Sequence, residues 1–165
     1  MSTTSKLDLI DEASRREIDK WVAKYPDDQK QSAVLEALKI VQEQNGGYLT
    51  TALMDAVAEY LDMEPISVYE VATFYTMYEH EPVGRHKISV CTNISCMLCG
   101  SGDVVDYLQR KLGIKMGETT PDGKFTLREV ECLAACGGAP MFMIDKTYYE
   151  NLTREKIDAI LDNLG

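Results

Sequence analysis

Two cysteine-bearing segments decide the fold of this chain: residues 87–99, KISVCTNISCMLC, and residues 125–140, FTLREVECLAACGGAP. Each begins as a run in which apolar and polar residues alternate, which is typical of a strand. A pair of cysteines follows each strand, and the two pairs are Cys91-x4-Cys96 and Cys132-x3-Cys136. Such short loops can bend two thiolates toward a common centre while the strands fix their separation. The segments therefore predict a small α/β layer with sulfur ligands at its strand ends.

The cysteines predict a metal centre or redox chemistry, because thiolates are soft ligands that select iron–sulfur clusters, zinc or Cu(I). Four thiolates are the number that a [2Fe–2S] or [4Fe–4S] cluster needs. Both pairs also fit a structural zinc site, in which paired cysteines are separated by about two to four residues. Cys99 leaves the choice of four open, since Cys91-x4-Cys96-x2-Cys99 is also the spacing that opens a plant-type ferredoxin. Cys96-x2-Cys99 further matches a thioredoxin-like dithiol, so spacing alone does not decide between these sites.

The amino-acid composition of the chain excludes several classes of protein. The chain has 165 residues, with 17 basic and 27 acidic side chains and a net charge of −10. Nucleic-acid binders carry a basic surface, so this composition excludes that class. The odd number of clustered cysteines argues against a disulfide scaffold. The longest uncharged run, residues 88–102, is too short and polar to span a bilayer, and the N-terminal sequence lacks signal-peptide and transit-peptide features. We therefore expect a soluble intracellular protein.

The first half of the chain has the apolar periodicity of amphipathic helices in four places. Residues with suitable backbone preferences mark the helix boundaries, and they are Pro26, Gly46-Gly47, Thr50 and Pro65. None of the helices is long enough to be stable alone, so the pattern predicts a small bundle held together by packing. The periodicity breaks in residues 79–85, which we interpret as a linker.

After the linker, the pattern changes to that of a mixed domain. The predicted elements are a strand at 87–91, a helix at 103–112, strands at 125–130 and 141–144, a hairpin strand at 147–149, and a C-terminal helix capped by Thr153. The order β-α-β-β-α, to which 147–149 adds a hairpin strand, stands behind a helical half and indicates an α+β chain.

Residues 70–145 resemble the [2Fe–2S] E-subunit family of respiratory complex I. Three motifs carry the resemblance, and the last of them is highly specific. They are Val71-Ala72-Thr73-Phe74-Tyr75, Cys91-x4-Cys96 and Asp122-x2-Phe125-Thr126-x5-Cys132-Leu133-x2-Cys136-x2-Ala139-Pro140. Outside this span, the resemblance extends only to the order of the elements.

The resemblance implies a four-helix bundle in residues 1–82, followed by a thioredoxin-like α/β domain in residues 83–165 that carries one [2Fe–2S] cluster. The ligands that it implies are Cys91, Cys96, Cys132 and Cys136. It assigns no catalytic residue and leaves Cys99 as a free thiol near the cluster. The family commonly has glycine at the position of Ala134, where a methyl group is tolerated unless the backbone φ is positive.

The resemblance also implies a one-electron carrier subunit of the NADH dehydrogenase module of respiratory complex I. Its partner there is the flavin (FMN)-bearing subunit that oxidises NADH, in a multi-subunit complex on the cytoplasmic side of the bacterial inner membrane. The sequence has no Gly-x-Gly-x-x-Gly after a strand and no phosphate loop, so we expect no nucleotide site and no turnover by the chain alone. The same type of protein occurs in NAD-linked hydrogenases and formate dehydrogenases. A structural zinc interaction module is the alternative from a different class.

Two groups of backbone amides are expected to donate hydrogen bonds to the cluster sulfurs. One is the N-terminus of the helix that begins near Asp103, which carries partial positive charge. The other is the loop Gly137-Gly138-Ala139, where small side chains let the N–H groups approach closely. Such hydrogen bonds raise a reduction potential, whereas burial and surrounding negative charge lower it.

Overall fold

The computed structural model describes residues 6–164 of the chain, which form two compact units. The first unit reaches to Pro82, and its described part contains four α-helices. The helices are α1 (Glu12–Val22), α2 (Val34–Gln44), α3 (Thr51–Leu61) and α4 (Pro65–Phe74), and 3₁₀ turns cover Lys6–Leu9 and Asp27–Ala33. The helices share one apolar core, with fully buried members such as Ile18, Leu38, Val41, Val57 and Val68. The arrangement of the four helices as a bundle stays a prediction.

Side-chain caps and a proline set where these helices begin. The Asp11 carboxylate accepts a hydrogen bond from the Ser14 N–H at 2.7 Å. The Thr50 hydroxyl oxygen accepts one from the Leu53 N–H at 3.2 Å. Pro65 occupies the first turn of α4, where a backbone N–H has no helical partner to bond. Three of the four helix starts are thus encoded locally.

The end of α1 differs from the sequence prediction. The helix stops at Val22, four residues before Pro26, and Pro26 instead precedes the 3₁₀ segment Asp27–Ala33. Gln29 has a non-helical φ of −124° within that segment, so the chain cannot continue as one helix into α2.

The second unit, from Val83 onward, is built on a four-stranded sheet with the strand order β2-β1-β3-β4. Its elements are β1 (His86–Cys91), α5 (Ile94–Leu98), α6 (Ser101–Leu112), β2 (Phe125–Val130), β3 (Phe142–Ile144), β4 (Thr147–Tyr149) and α7 (Arg154–Asn163). Strands β3 and β4 form the predicted antiparallel hairpin, with Phe142 opposite Tyr149. The chain therefore has the α+β fold class that the sequence predicts.

The register of the sheet brings the two cysteine loops together. Strands β1 and β2 pair in parallel, so His86 stands opposite Phe125 and Cys91 stands opposite Val130. The carboxyl ends of parallel neighbours lie at the same edge of a sheet. Cys132 follows Val130 by two residues and reaches the edge at which Cys91 ends β1.

An apolar core fixes this register. Apolar residues of β1, β2 and β3 pack with apolar residues of α6 and α7 in this core. Fully buried members are Ile88, Leu127 and Phe142 on the strands, and Leu108 and Ile157 on the helices. A slip of one residue would turn the apolar side chains of a strand away from that core, which makes alternative registers unfavourable.

One helix of this unit is absent from the sequence prediction. Helix α5 has only five residues, and α6 begins at Ser101, two residues earlier than expected. Gly100 joins the two helices with a φ of 91°, a left-handed conformation that glycine adopts without steric cost.

Helices are short throughout the described residues. The longest α-helix among residues 6–164 is α6, with 12 residues. No helix in this range combines the length and apolar character that are needed to cross a membrane.

Ala134 lies in the second cysteine loop with a φ of 58°. In this left-handed region the Cβ atom of an L-residue crowds the backbone, at a cost of about 1 kcal/mol. A methyl group was expected to be tolerated here unless φ is positive, and φ is positive. The loop therefore holds Ala134 in a strained conformation.

Replacing Ala134 with glycine is expected to raise the free energy of unfolding by up to about 0.5 kcal/mol, because relief of the strain exceeds the added entropy of the unfolded chain. Ala135→Gly is the matched control, since Ala135 has a φ of −116° and is not strained in this way. Urea unfolding of the full chain, at equal cluster content, should give a higher midpoint for Ala134→Gly and a lower one for Ala135→Gly. A lower midpoint for both variants would contradict the assignment of strain.

Candidate metal centre

Four of the five cysteines line one cavity of about 200 Å³ at the carboxyl edge of the sheet. Cys91 is the last residue of β1, and Cys96 lies on α5. Cys132 follows β2, and Cys136 opens a 3₁₀ turn at Cys136–Gly138. The remaining lining residues are Asn93, Ile94 and Ser95. The structure thus brings both predicted cysteine pairs to a single site.

The loop between Cys91 and Cys96 is shaped by Asn93. Its side-chain oxygen accepts a hydrogen bond from the Ile94 N–H at 2.7 Å, and its carbonyl accepts one from the Met97 N–H at 2.9 Å. These bonds start the short helix α5, which returns Cys96 toward Cys91. Asparagine before an apolar residue is a known start signal for a helix, and it is the sequence feature that could have located α5.

Burial divides the four cysteines into an inner and an outer pair. Cys91 and Cys96 are 5% and 2% exposed, whereas Cys132 and Cys136 are exposed. The inner pair packs against Met141, which is 1% exposed and whose carbonyl accepts a hydrogen bond from the Cys91 N–H at 3.3 Å. The cavity therefore has a dry inner wall and opens to solvent on the side of the outer pair.

Ala134 supplies the amide hydrogen bond to sulfur in the second loop. Its N–H donates to Cys132 Sγ at 3.3 Å, within the loop in which this residue has a φ of 58°. On the inner side, the Cys91 thiol donates to the Glu131 carbonyl at a sulfur–oxygen distance of 3.8 Å.

Two of the expected amide donors bond to backbone carbonyls and not to sulfur. The Gly138 N–H donates to the Ala135 carbonyl at 3.0 Å, and the Ala139 N–H donates to the Cys136 carbonyl at 3.4 Å, because the segment closes into a 3₁₀ turn. The first residues of α6 line a neighbouring groove instead of the cysteine cavity. The expectation for Gly138 and Ala139 was therefore wrong, whereas that for the α6 N-terminus stays a prediction.

Burial raises the pKa of the Cys96 thiol to about 11, and the neighbouring Cys91 adds to the shift. Both effects disfavour a thiolate, so Cys96 without a metal holds its proton at neutral pH. Since sulfur binds iron or zinc as the thiolate, occupation of the site must release that proton.

Cys99 does not line this cavity. It forms the C-terminal cap of α5, is exposed, and lines a separate cavity together with residues such as Tyr107, Pro140 and Arg154. The plant-type spacing, which would use Cys99, is not the arrangement that the structure brings together.

The donor set fits a two-iron centre. A structural zinc ion draws all four thiolates to one point, whereas a [2Fe–2S] cluster distributes four protein ligands over two irons. The four cysteines that line the cavity supply the number of thiolates that such a cluster needs.

The amino-acid sequence is similar to a family model and to proteins with known names. The family model of the thioredoxin-like [2Fe–2S] ferredoxins matches residues 18–165. The NADH-quinone oxidoreductase E-subunit of Rickettsia bellii is 49% identical over 143 residues, which are 87% of this chain and 86% of that protein. NADH dehydrogenase [ubiquinone] flavoprotein 2, mitochondrial, of Dictyostelium discoideum is 46% identical over 147 residues, which are 89% of this chain but 60% of that protein.

A solved structure has the same fold. An NAD⁺-reducing [NiFe]-hydrogenase in its H2-reduced state superposes with a TM-score of 0.68 at 20% identity, over 79% of this chain and 22% of the hydrogenase chain. At that identity the likeness concerns the fold alone. The family model and the curated relatives confirm the resemblance found in the sequence motifs. The chain belongs to the thioredoxin-like [2Fe–2S] ferredoxin family, and its cofactor is a [2Fe–2S] cluster.

Proposed function

We propose that this chain is a one-electron carrier subunit of an NADH-quinone oxidoreductase of the respiratory complex I type. The observation that carries the proposal is the cavity in which four cysteines from two loops meet at one edge of the sheet. Two relatives support it, and they are 46–49% identical over most of the chain. Their names refer to NADH dehydrogenase and to NADH-quinone oxidoreductase. In this proposal Cys91, Cys96, Cys132 and Cys136 hold the cluster.

Each part of the site has a physical task in this role. When bound, the [2Fe–2S] cluster supplies one-electron redox chemistry. Cys91 and Cys96 hold it from the dry side, where Met141 excludes water. Cys132 and Cys136 hold it from the open side, where a redox partner can approach. The Ala134 N–H stabilises negative charge on Cys132 Sγ, which favours the reduced state.

The partner in this proposal is a flavin-bearing subunit that oxidises NADH. The sequence has no Gly-x-Gly-x-x-Gly after a strand with which to bind a dinucleotide itself, so the hydride chemistry must occur on another protein. We place the chain at the cytoplasmic side of the bacterial inner membrane, peripheral to it through the complex.

The equivalent subunit of an NAD-linked hydrogenase or formate dehydrogenase is the nearest alternative assembly. The hydrogenase likeness rests on 20% identity, whereas the oxidoreductase relative from Rickettsia bellii is 49% identical. The quinone-reducing assembly is therefore the better supported.

Metal analysis tests the proposal against a structural zinc module. Protein purified anaerobically is expected to contain iron and acid-labile sulfide in equal amounts, near two of each per chain as a [2Fe–2S] cluster requires. It should be coloured and give an EPR signal after reduction with dithionite. Colourless protein that holds zinc and stays EPR-silent would contradict the proposal and favour the structural module.

The ligand assignment is tested by single serine substitutions. Cys91→Ser, Cys96→Ser, Cys132→Ser and Cys136→Ser are each expected to lose most of the iron and sulfide or to change the EPR signal, because an alkoxide is a poorer ligand for iron than a thiolate. Cys99→Ser is the matched control and should keep both, since Cys99 lies outside the cavity. Loss of the cluster in Cys99→Ser together with full retention in Cys132→Ser would overturn the assignment.

A further inference from the structure

The side chain of Glu150 covers Gly138, the last residue of the 3₁₀ turn that begins at Cys136. Glu150 lies between β4 and α7, directly after Tyr149. A Cβ atom added to Gly138 would stand 2.5 Å from the Cβ and Cδ atoms of Glu150, and closer still to its Oε2 atom. Real Cβ atoms essentially never approach other heavy atoms so closely. The carboxylate therefore occupies the space that a side chain at position 138 would need.

Backbone hydrogen bonds hold the segment after Glu150 against the same loop. The Asn151 N–H donates to the Gly138 carbonyl at 2.6 Å, and the Leu152 N–H donates to the Pro140 carbonyl at 3.0 Å. The place of Glu150 beside the loop is thus set by backbone groups. A change that removes only its charge leaves these bonds in place.

The Glu150 carboxylate has no cation to offset its charge. The Lys156 ammonium donates to the backbone carbonyl of Glu150 and not to its carboxylate. Within residues 6–164, the carboxylate forms no ion pair. The negative charge beside Gly138 is therefore uncompensated.

This charge lies close to one of the proposed iron ligands. Gly138 follows Cys136 by two residues, which span at most about 7 Å. Salt screens the interaction of exposed charges over about 10 Å at 0.1 M, so a carboxylate over Gly138 still acts on a cluster held by Cys136. Reduction adds one negative charge to the cluster, and a nearby carboxylate makes that addition less favourable.

We propose that Glu150 lowers the reduction potential of the [2Fe–2S] cluster through the charge of its carboxylate, and that Gly138 is the residue that lets it approach. The Ala134 N–H, which donates to Cys132 Sγ, acts in the opposite sense on the same loop. The inference rests on the proposed function, because that function makes Cys136 a ligand. Its own content is the side chain that tunes the potential and the direction of its effect.

The variant Glu150→Gln tests the charge, since glutamine keeps the size of the side chain and removes its charge. The midpoint potential of the cluster-loaded full chain is measured by redox titration followed by EPR. We expect a more positive midpoint than in wild-type protein, with a larger difference at low than at high ionic strength. Iron and sulfide per chain should be unchanged. A side chain that only fills space would be replaced by glutamine without any shift of the midpoint.

Asp162→Asn is the matched control, because it removes an exposed carboxylate from the far end of α7. Helix α7 runs beside α6 from the loop outward, with Arg154 over the Tyr107 ring and Asp158 bonded to Lys111. Asp162 lies eight residues beyond Arg154, about 12 Å along the helix axis. Its variant should keep the midpoint of wild-type protein.

The outcomes separate this inference from the function on which it rests. An unchanged or more negative midpoint in Glu150→Gln, or an equal rise in Asp162→Asn, would overturn the role of Glu150 alone. Loss of the cluster from Glu150→Gln would show a structural role and would overturn it as well. Wild-type protein that holds zinc in place of iron would overturn the proposed function.

Gly138→Ala tests the part assigned to the glycine. The φ of Gly138 is not positive, so the added methyl group meets the Glu150 side chain without backbone strain of its own. By displacing that side chain, it is expected to raise the midpoint in the chain that retains Glu150. The same substitution combined with Glu150→Gln should cause a much smaller change than it does alone. Equal shifts in the two backgrounds would contradict the link between Gly138 and Glu150.

Discussion

The parallel pairing of β1 with β2 is the interaction on which the rest of the site depends. Because Cys91 stands opposite Val130, both strands end at one edge, and Cys132 arrives there two residues later. The backbone ladder and the core beneath it, with Ile88 and Leu127 fully buried, hold this register. The positions of the two cysteine loops thus follow from the pairing of the strands.

Helix α5 has one buried side and one exposed apolar side. Its inner side turns Cys96 into the cavity, while its outer side exposes Ile94, Met97 and Leu98. Such a helix gains little from burial in the isolated chain and depends on the Asn93 cap and on its link to α6 through Gly100. Cys96 and the three exposed residues thus lie within two positions of one another, on opposite sides of the same short helix.

The sequence predicts the strands and the cysteine pairs because alternating polarity and loop spacing are local signals. It predicts the wrong sulfur-bonding amides because the partner of a backbone N–H depends on how a loop closes, as with Gly138, whose N–H bonds the Ala135 carbonyl. The sequence pattern does not predict helix α5, because five residues are too few for a helical period to appear. The positive φ of Ala134 cannot be found from composition either, since alanine rarely adopts it.

The division of the cysteines into a buried and an exposed pair explains how one small site can be both protected and accessible. With the proposed ligand set, water at Cys91 and Cys96 would compete for iron, and Met141 packs against that side. If all four sulfurs were equally buried in this chain of net charge −10, the electron added on reduction would be costly to hold. Exposure of Cys132 and Cys136, with the Ala134 N–H directed at Cys132 Sγ, lets solvent and a backbone dipole offset part of that charge. The cavity thus opens to solvent on the side of Cys132 and Cys136, because its opposite wall is closed by the buried Met141.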